Sequence, residues 1–180
     1  MDKEQKYYGD DRCRAGHGSV SSGDRLLVID FNDQHHVIRR EYGDRQLKVA
    51  PLLEWLPPAD AKMSFAKAPS YKVVENFDRM LKHRGFEDRY YMFGKPSNFD
   101  CGAWLACRVL DWCMMYEPKE VVLVTAHYST PDLIVTIGGM NIKATWVGFG
   151  TSQPIPTHCL DPTPMADQIA FTDRAEGTTQ

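Results

Sequence analysis

The sequence has no run of about 18 or more apolar residues, so it predicts no membrane-spanning helix. It also lacks the basic stretch followed by an apolar stretch that marks a secretory signal. We therefore expect a cytoplasmic or otherwise intracellular protein with no membrane partner. No internal repeat is visible either, so the chain is not interpreted as a repeat protein.

The five cysteines form no CxxC pair and no other spacing typical of zinc ligands. Three of them, Cys101, Cys107 and Cys113, fall six residues apart on one predicted helix. We interpret them as small buried side chains of a protein in a reducing compartment.

An excess of basic residues is also missing, since 21 Lys and Arg face 24 Asp and Glu. Residues 1–24 carry 4 basic and 5 acidic side chains, and residues 151–180 carry 1 and 4, which leaves 16 basic and 15 acidic between them. Basic and acidic residues are nearly equal in number between the tails, which is not typical of a nucleic-acid-binding domain. A local basic patch is still possible.

The length of 180 residues, with 43% hydrophobic and 25% charged side chains, fits one globular domain. We expect residues 1–24, rich in Gly and Ser, to form a flexible N-terminal tail. Residues 25–150 form the predicted domain, and residues 151–180 a Pro- and Thr-rich C-terminal tail. Apolar positions around 155, 160 and 169–171 could still pack on the domain or on a partner.

Strand-like and helix-like segments alternate along the domain. The pattern predicts strands at 25–30, 61–66, 89–93, 121–124 and 143–147, and helices at 33–40, 71–84, 101–116 and 131–137. Gly85 is a stop signal for the second helix. This alternation predicts an α/β fold, a Rossmann-like three-layer α/β/α sandwich with a mostly parallel sheet of about five strands. Ligands of such sheets bind at the carboxyl ends of the strands.

Asp30 and Asn32 come at the end of the first predicted strand. A carboxylate at this edge can hold a divalent metal, and Asn32 can cap the next helix or fix that carboxylate. A turn or capping role for Asp30 is the alternative.

The third predicted helix carries a second group of polar residues. Asp100, Trp104, Arg108 and Asp111 follow one another at steps of three and four residues, beside an apolar set that predicts the core face. This stripe could border a cleft, with Asp100 nearest the strand ends. Alternatively, Arg108 and Asp111 form an exposed ion pair that contributes little.

These features resemble the NYN family of PIN-like ribonucleases over residues 25–150. The resemblance rests on Asp30 and Asn32 after the first strand, on Lys95 and Asp100 before a helix, and on the strand–loop–helix–strand unit that ends in Trp-Val-Gly-Phe at 146–149. Members of that family fold as Rossmann-like sandwiches and cut RNA with Mg²⁺ or Mn²⁺ held by clustered aspartates.

The resemblance also shows where acidic positions of the family are replaced. The family's next helical aspartate falls at Arg108, with Asp111 as a second choice, and the loop Ser-Gly-Asp-Ser-Asp-Phe is here Thr-Ala-His-Tyr-Ser-Thr at 125–130. Mg²⁺ needs several hard oxygen ligands, and a guanidinium nearby repels it. The resemblance therefore implies a degenerate site without a metal cofactor. An active site would instead hold Mg²⁺ or Mn²⁺ on Asp30 and Asp100.

His127, the third residue of that loop, leaves other interpretations open. Imidazole favours Zn²⁺ or Mn²⁺ over Mg²⁺, so His127 could join His35 and His36 in a transition-metal site. It could also act as a general base without metal. A hydrogen-bonded loop histidine is the simplest role.

Two candidate interaction surfaces remain. Basic residues after the first predicted helix and on the second could track an RNA backbone, although interleaved acidic residues favour solvated helix faces instead. The candidate RNA-binding residues are Arg39, Arg40, Lys95, Tyr128 and Ser129. The Pro-bounded loop at 50–58 either covers the core or forms a partner patch of Leu52, Leu53, Trp55 and Leu56.

The sequence thus predicts a catalytically degenerate NYN/PIN-like domain that binds RNA or a protein partner. Its remnant catalytic site comprises Asp30, Asn32, Asp100, Arg108 and His127. One alternative is an active, divalent-metal-dependent ribonuclease with a remodelled acidic site. The other is a structural protein that forms a homo-oligomer.

Overall fold

The protein is described here from a computed structural model. The structure describes residues 24–32, 40, 46–68, 71–93, 101–125, 127, 129–148, 159–160 and 171–172. The expected tail at 1–24 and the predicted helix at 33–40 lie almost entirely outside these residues.

A parallel sheet forms the centre of the molecule. Its six strands are β1 (Arg25–Asp30), β3 (Ala61–Ala68), β4 (Asp88–Phe93), β5 (Glu120–Val124), β6 (Lys143–Val147) and β7 (Cys159–Leu160). They lie in the order β4-β3-β1-β5-β6-β7, and every neighbouring pair is parallel. A separate antiparallel pair joins β2 (Gln46–Leu47) to β8 (Phe171–Thr172).

Helices cover both faces of the sheet. The described helices are α1 (Val49–Trp55), α2 (Tyr71–His83), α3 (Cys101–Tyr116) and α4 (Thr130–Gly139). Side chains of α1 and α2 pack with Leu27 and Ile29 of β1 on one face. Those of α3 and α4 pack with Leu26 and Val28 on the other. The fold is therefore a Rossmann-like three-layer α/β/α sandwich, as the alternation predicts.

The central strands are apolar on both sides because both of their faces are covered. All five residues of β5 are buried, as are all residues of β1 except Arg25. Continuous apolar runs of this kind are typical of parallel strands between two helical layers. The core consequently consists of two clusters separated by the sheet.

The predicted stop at Gly85 is a Schellman motif. Gly85 has a φ of +79° and donates its N–H to the carbonyl of Lys82, and the Phe86 N–H bonds the carbonyl of Leu81. Leu81 and Phe86 are both buried. This apolar contact is the usual companion of the motif and fixes the turn into β4.

The segment expected to be a loop at 50–58 contains helix α1. Seven residues are too few to show a helical period, and flanking prolines favour a loop interpretation. Pro51 lies in the first helical turn, where a missing N–H costs nothing. Leu52 and Leu56 are almost fully buried, so these two residues cover the core rather than form a partner patch.

Part of the segment expected to be a C-terminal tail returns to the body. Cys159 pairs with Trp146 and Leu160 with Val147, and Phe171 pairs with Leu47 in the small sheet. Of the two alternatives for this segment, packing on the domain is the one observed at these positions.

The cysteines of α3 differ in environment. Cys113 is fully buried, and burial raises the pKa of its thiol to about 11. Cys107 is exposed, contrary to the expectation, because it faces away from the sheet.

Candidate functional site at the carboxyl edge of the sheet

The strand order reverses between β1 and β5. The chain moves outward from β1 through β3 to β4, then crosses to β5 on the other side of β1. In open parallel sheets, a crevice opens at the carboxyl ends of the strands at such a reversal, and ligands bind there. Ile29 pairs with Val124, so Asp30 and the loop at 125–129 begin side by side at this crevice.

Asp30 is a buried carboxylate at the end of β1, only 2% exposed. Its Oδ1 accepts the backbone N–H of Asn32 at 3.0 Å, and Phe31 and Asn32 are helical, so Asp30 caps this helical start. The turn or capping role, which was the alternative for Asp30, is therefore observed. Asn32 thus acts on Asp30 through its backbone. A carboxylate without solvent around it is stable only where donors or cations supply compensation, which is typical of functional sites.

A shallow depression adjoins Asp30 on the side of α3. It is lined by Asp30, Asn32, Phe65, Ala66, Lys67, Met92 and Trp104. Phe65 and Trp104 meet edge to face with ring centroids 5.2 Å apart, and Tyr90 stacks on Phe65 at 5.0 Å. Asp30 and Phe65 are buried beneath the depression, Trp104 is half-buried, and Lys67 is the exposed charge at its edge.

Arg108 belongs to this aromatic cluster rather than to the carboxylate. Its guanidinium carbon lies 5.5 Å from the centroid of the Tyr90 ring, a cation–π contact. Within the described residues, no ion pair joins Arg108 to Asp30 or to Asp111. The degenerate-site interpretation predicts Arg108 within salt-bridge reach of Asp30 or Asp100. The described residues show no such pair with Asp30, and Asp100 lies outside them. Two helical turns from the strand ends, the guanidinium contacts an aromatic ring instead.

His127 is held by a dense set of hydrogen bonds. Its backbone N–H donates to Thr125 Oγ1 at 3.2 Å, and its carbonyl accepts the Thr130 N–H and hydroxyl. Its Nδ1 lies 2.8 Å from Ser129 Oγ. Thr125 is itself fixed, since its carbonyl accepts Trp146 Nε1 at 2.7 Å. The hydrogen-bonded loop histidine is therefore the observed arrangement.

Gly102 provides the space that the imidazole occupies. A Cβ built on Gly102 would overlap with Nδ1 and Cε1 of His127. The ring thus lies against the first turn of α3, and only glycine fits beneath it. Sequence reasoning missed this contact because the two residues are distant in the chain.

Several predicted site residues fall outside the described residues. These are Arg39, Lys95, Asp100 and Tyr128, together with His35 and His36. Arg40 is described and exposed. Among the described side chains, no group of three or more His, Cys, Asp or Glu lies close enough to hold a metal ion.

The amino edge of the sheet carries a different polar cluster, which the sequence did not reveal. The carboxylate of Glu120 accepts three hydrogen bonds, from Arg25 Nε at 2.7 Å, from Lys143 Nζ at 2.9 Å and from Thr145 Oγ1 at 2.9 Å. Burial alone raises the pKa of Glu120, but the three hydrogen bonds outweigh it, so this pKa is lowered from 4.5. Glu120 joins three neighbouring strands and is structural.

The comparisons with known proteins bear on the fold. No family model matches the chain, and no curated protein matches it. Among solved structures, the chain is similar to a protein of unknown function, VPA0982, from Vibrio parahaemolyticus, with a TM-score of 0.57 and 14% sequence identity. The match covers 71% of this chain and 83% of that chain. At this identity the similarity shows the α/β fold alone.

No helix among the described residues combines the length and the apolar character that a membrane span requires.

Proposed function

We propose that this domain binds single-stranded RNA at the carboxyl edge of its sheet, as a degenerate relative of the NYN/PIN-like nucleases. The supporting observation is the shallow depression beside Asp30, where the half-buried ring of Trp104 lies near the exposed Lys67. Single-stranded nucleic acids bind where bases can stack on aromatic rings and a cation can contact the phosphates.

The loop after β5 supports the same proposal. Its described side chains Thr125, His127 and Ser129 are neutral or weakly basic, and they bond one another. A polar loop of this kind suits an anionic backbone better than a loop of carboxylates does. The cation–π contact of Arg108 with Tyr90 adds a positive charge beside the aromatic cluster.

The test compares two lysines at opposite edges of the sheet. Lys67 is exposed at the carboxyl end of β3, whereas Lys119, with its side chain 78% exposed, precedes β5 at the amino edge. Lys67→Ala should weaken the binding of a fluorescent single-stranded RNA by roughly threefold to tenfold at low salt, because one phosphate contact is lost. Fluorescence anisotropy measures this affinity.

Lys119→Ala is the matched control, since it removes the same charge from the other end of the molecule. It should leave the affinity unchanged. Equal weakening by both variants would show that RNA responds only to net charge, and the proposed site would then be wrong.

A metal-dependent ribonuclease is the second candidate, favoured by the buried Asp30 at the end of β1. Incubating the protein and the same RNA with Mg²⁺, Mn²⁺ or EDTA, and measuring RNA cleavage, distinguishes the two functions. A degenerate domain leaves the RNA intact in all three. Cleavage that requires metal and disappears in Asp30→Asn would establish the nuclease instead.

A further inference from the structure

The outer side of α3 is apolar, whereas the outer side of a surface helix is usually charged. Only two of the 16 residues of α3, Arg108 and Asp111, are charged. By contrast, the 13-residue helix α2 on the other face of the sheet has an Asp, Glu, Lys or Arg at nearly every outward step. Met114 and Met115 of α3 are 62% and 60% exposed. A helix that is apolar on all sides is normally covered on all sides, so a partner is expected on the outer side of α3.

The neighbouring helix α4 extends this apolar face. Its Val135 is 74% exposed, so the large apolar side chains that are mostly exposed among the described residues all belong to α3 and α4. The two helices lie next to each other on one face of the sheet. At 1.5 Å per residue α3 is about 24 Å long, and two neighbouring helices are about 20 Å wide. A face on the order of 500 Å² is near the lower end of what one partner buries in a specific complex, so it fits a weak association.

The exposed side of α3 has the spacing of a seam between two helices. Ala103, Cys107, Leu110 and Met114 follow one another at steps of four, three and four residues. Leu110 is half-buried and the other three are exposed. In this spacing the side chains of one helix insert between those of a second helix. The partner that fits the seam is therefore another helix.

Two copies of α3 that run antiparallel complement each other in size. The seam has small side chains in its first half and large ones in its second half. About a two-fold axis near Val109, Met114 of one copy lies over Ala103 of the second copy, and Leu110 lies over Cys107. A parallel pair would instead place Met114 against Met114 and Ala103 against Ala103. The antiparallel pair is thus the one that fills the seam evenly.

The charges of α3 agree with the same arrangement. Arg108 and Asp111 lie on one flank of the seam, and neither has an ion pair within the described part of its own chain. The antiparallel pair places the same flanks of both helices side by side. Asp111 of one copy then lies across from Arg108 of the second copy, on both sides of the two-fold axis. Opposite charges at the flanks of a seam favour one orientation over the other.

We propose that two copies of this chain associate through their α3 helices in antiparallel orientation, with α4 extending the contact. This self-association does not depend on the proposed RNA binding, because it uses the exposed side of α3 and is measured without RNA. The apolar side chains of α3 and α4 leave water when the two copies meet, which drives the association.

The association is tested by sedimentation equilibrium of the full chain under reducing conditions. We expect the mean mass to rise from that of one chain toward that of two between about 10 and 500 µM, the range that suits an interface of this size. The mass of a single chain at every concentration would overturn the proposal.

Met114→Glu tests the position of the interface. It should weaken the association at least about tenfold, because it places a carboxylate in an apolar seam. Asn76→Glu is the matched control, since Asn76 is exposed on α2 and the variant adds the same charge on the other face of the sheet. It should associate as the unaltered chain does. An unchanged association of Met114→Glu, or an equal loss in both variants, would show that the copies do not meet at α3.

A chain that carries both Ala103→Cys and Met114→Cys tests the orientation. The two positions lie about 16 Å apart along one helix, too far for a disulfide within the chain. Oxidised glutathione should link position 103 of one copy to position 114 of the other. Trypsin cleaves after Arg108 and puts the two positions in different peptides, so mass spectrometry identifies the link. Links of 103 to 103 and of 114 to 114, without the mixed link, would contradict the antiparallel orientation.

Discussion

At the scale of single residues, the carboxyl edge depends on close approaches that a sequence pattern does not express. Asp30 was identifiable because a lone carboxylate ends an apolar strand, and it is buried there. Gly102 was not identifiable, because its importance comes from its contact with His127. Helix α3 and strand β5 separate the two residues in the sequence. A helical glycine near an N-terminus gives no local signal for such a contact.

Gly102 therefore yields a stability prediction. Gly102→Ala should lower the free energy of unfolding by about 1–3 kcal/mol, because the new methyl group collides with the His127 ring and displaces it. Urea unfolding followed by circular dichroism measures the change.

Gly138→Ala is the control, since nothing lies within 4 Å of a Cβ built on Gly138 of α4. Alanine at this open helical position should raise the stability by about 0.5–1 kcal/mol. If both substitutions stabilise the protein, the imidazole does not occupy the space above Gly102.

At the scale of elements, long periodic segments were predicted closely and some short ones were not. The pattern gave the 16-residue helix α3 with the observed bounds, and also the bounds of the short strand β6. It missed α1, which has seven residues, and β7, which has two. Elements this short form because packing on the surrounding sheet and core stabilises them. A short stretch of sequence does not contain that information.

Helix α1 makes a second stability prediction. Leu52 is fully buried between α1 and the sheet, so Leu52→Ala should cost about 2–5 kcal/mol and leave a cavity. Val135→Ala removes apolar atoms from a side chain that is 74% exposed, and it should stay within about 0.5 kcal/mol. A mild effect of Leu52→Ala, together with loss of self-association, would restore the partner-patch interpretation.

At the scale of the whole molecule, the two edges of the sheet carry different tasks. The amino edge holds Glu120, whose carboxylate is bonded by groups from β1 and β6. The carboxyl edge holds the depression, Asp30 and the His127 loop. A variant at the amino edge should therefore change stability without changing RNA affinity, because no ligand contact is placed there.

Glu120 gives this separation a pH dependence with a definite sign. The pKa of Glu120 is lowered in the folded state, whereas the pKa of a glutamate in an unfolded chain is about 4.3. A lowered folded pKa contributes stability that is fully present above the unfolded pKa and is lost as pH falls through the folded one. Glu120→Gln should therefore cost about 1–3 kcal/mol near neutral pH, and the difference from the unaltered chain should shrink below about pH 4.

Glu75→Gln is the matched control, because the Glu75–Arg79 pair has side chains 56% and 62% exposed and contributes little. Thermal unfolding from pH 3 to pH 8 compares the two variants, and RNA titration at neutral pH checks that both bind as the unaltered chain does. A loss of stability in Glu120→Gln that is the same at every pH would mean that packing, not the charge of Glu120, joins the strands. If Glu120→Gln lost RNA affinity while remaining as stable as the unaltered chain, RNA binding would depend on the amino edge of the sheet. The proposed site would then be wrong.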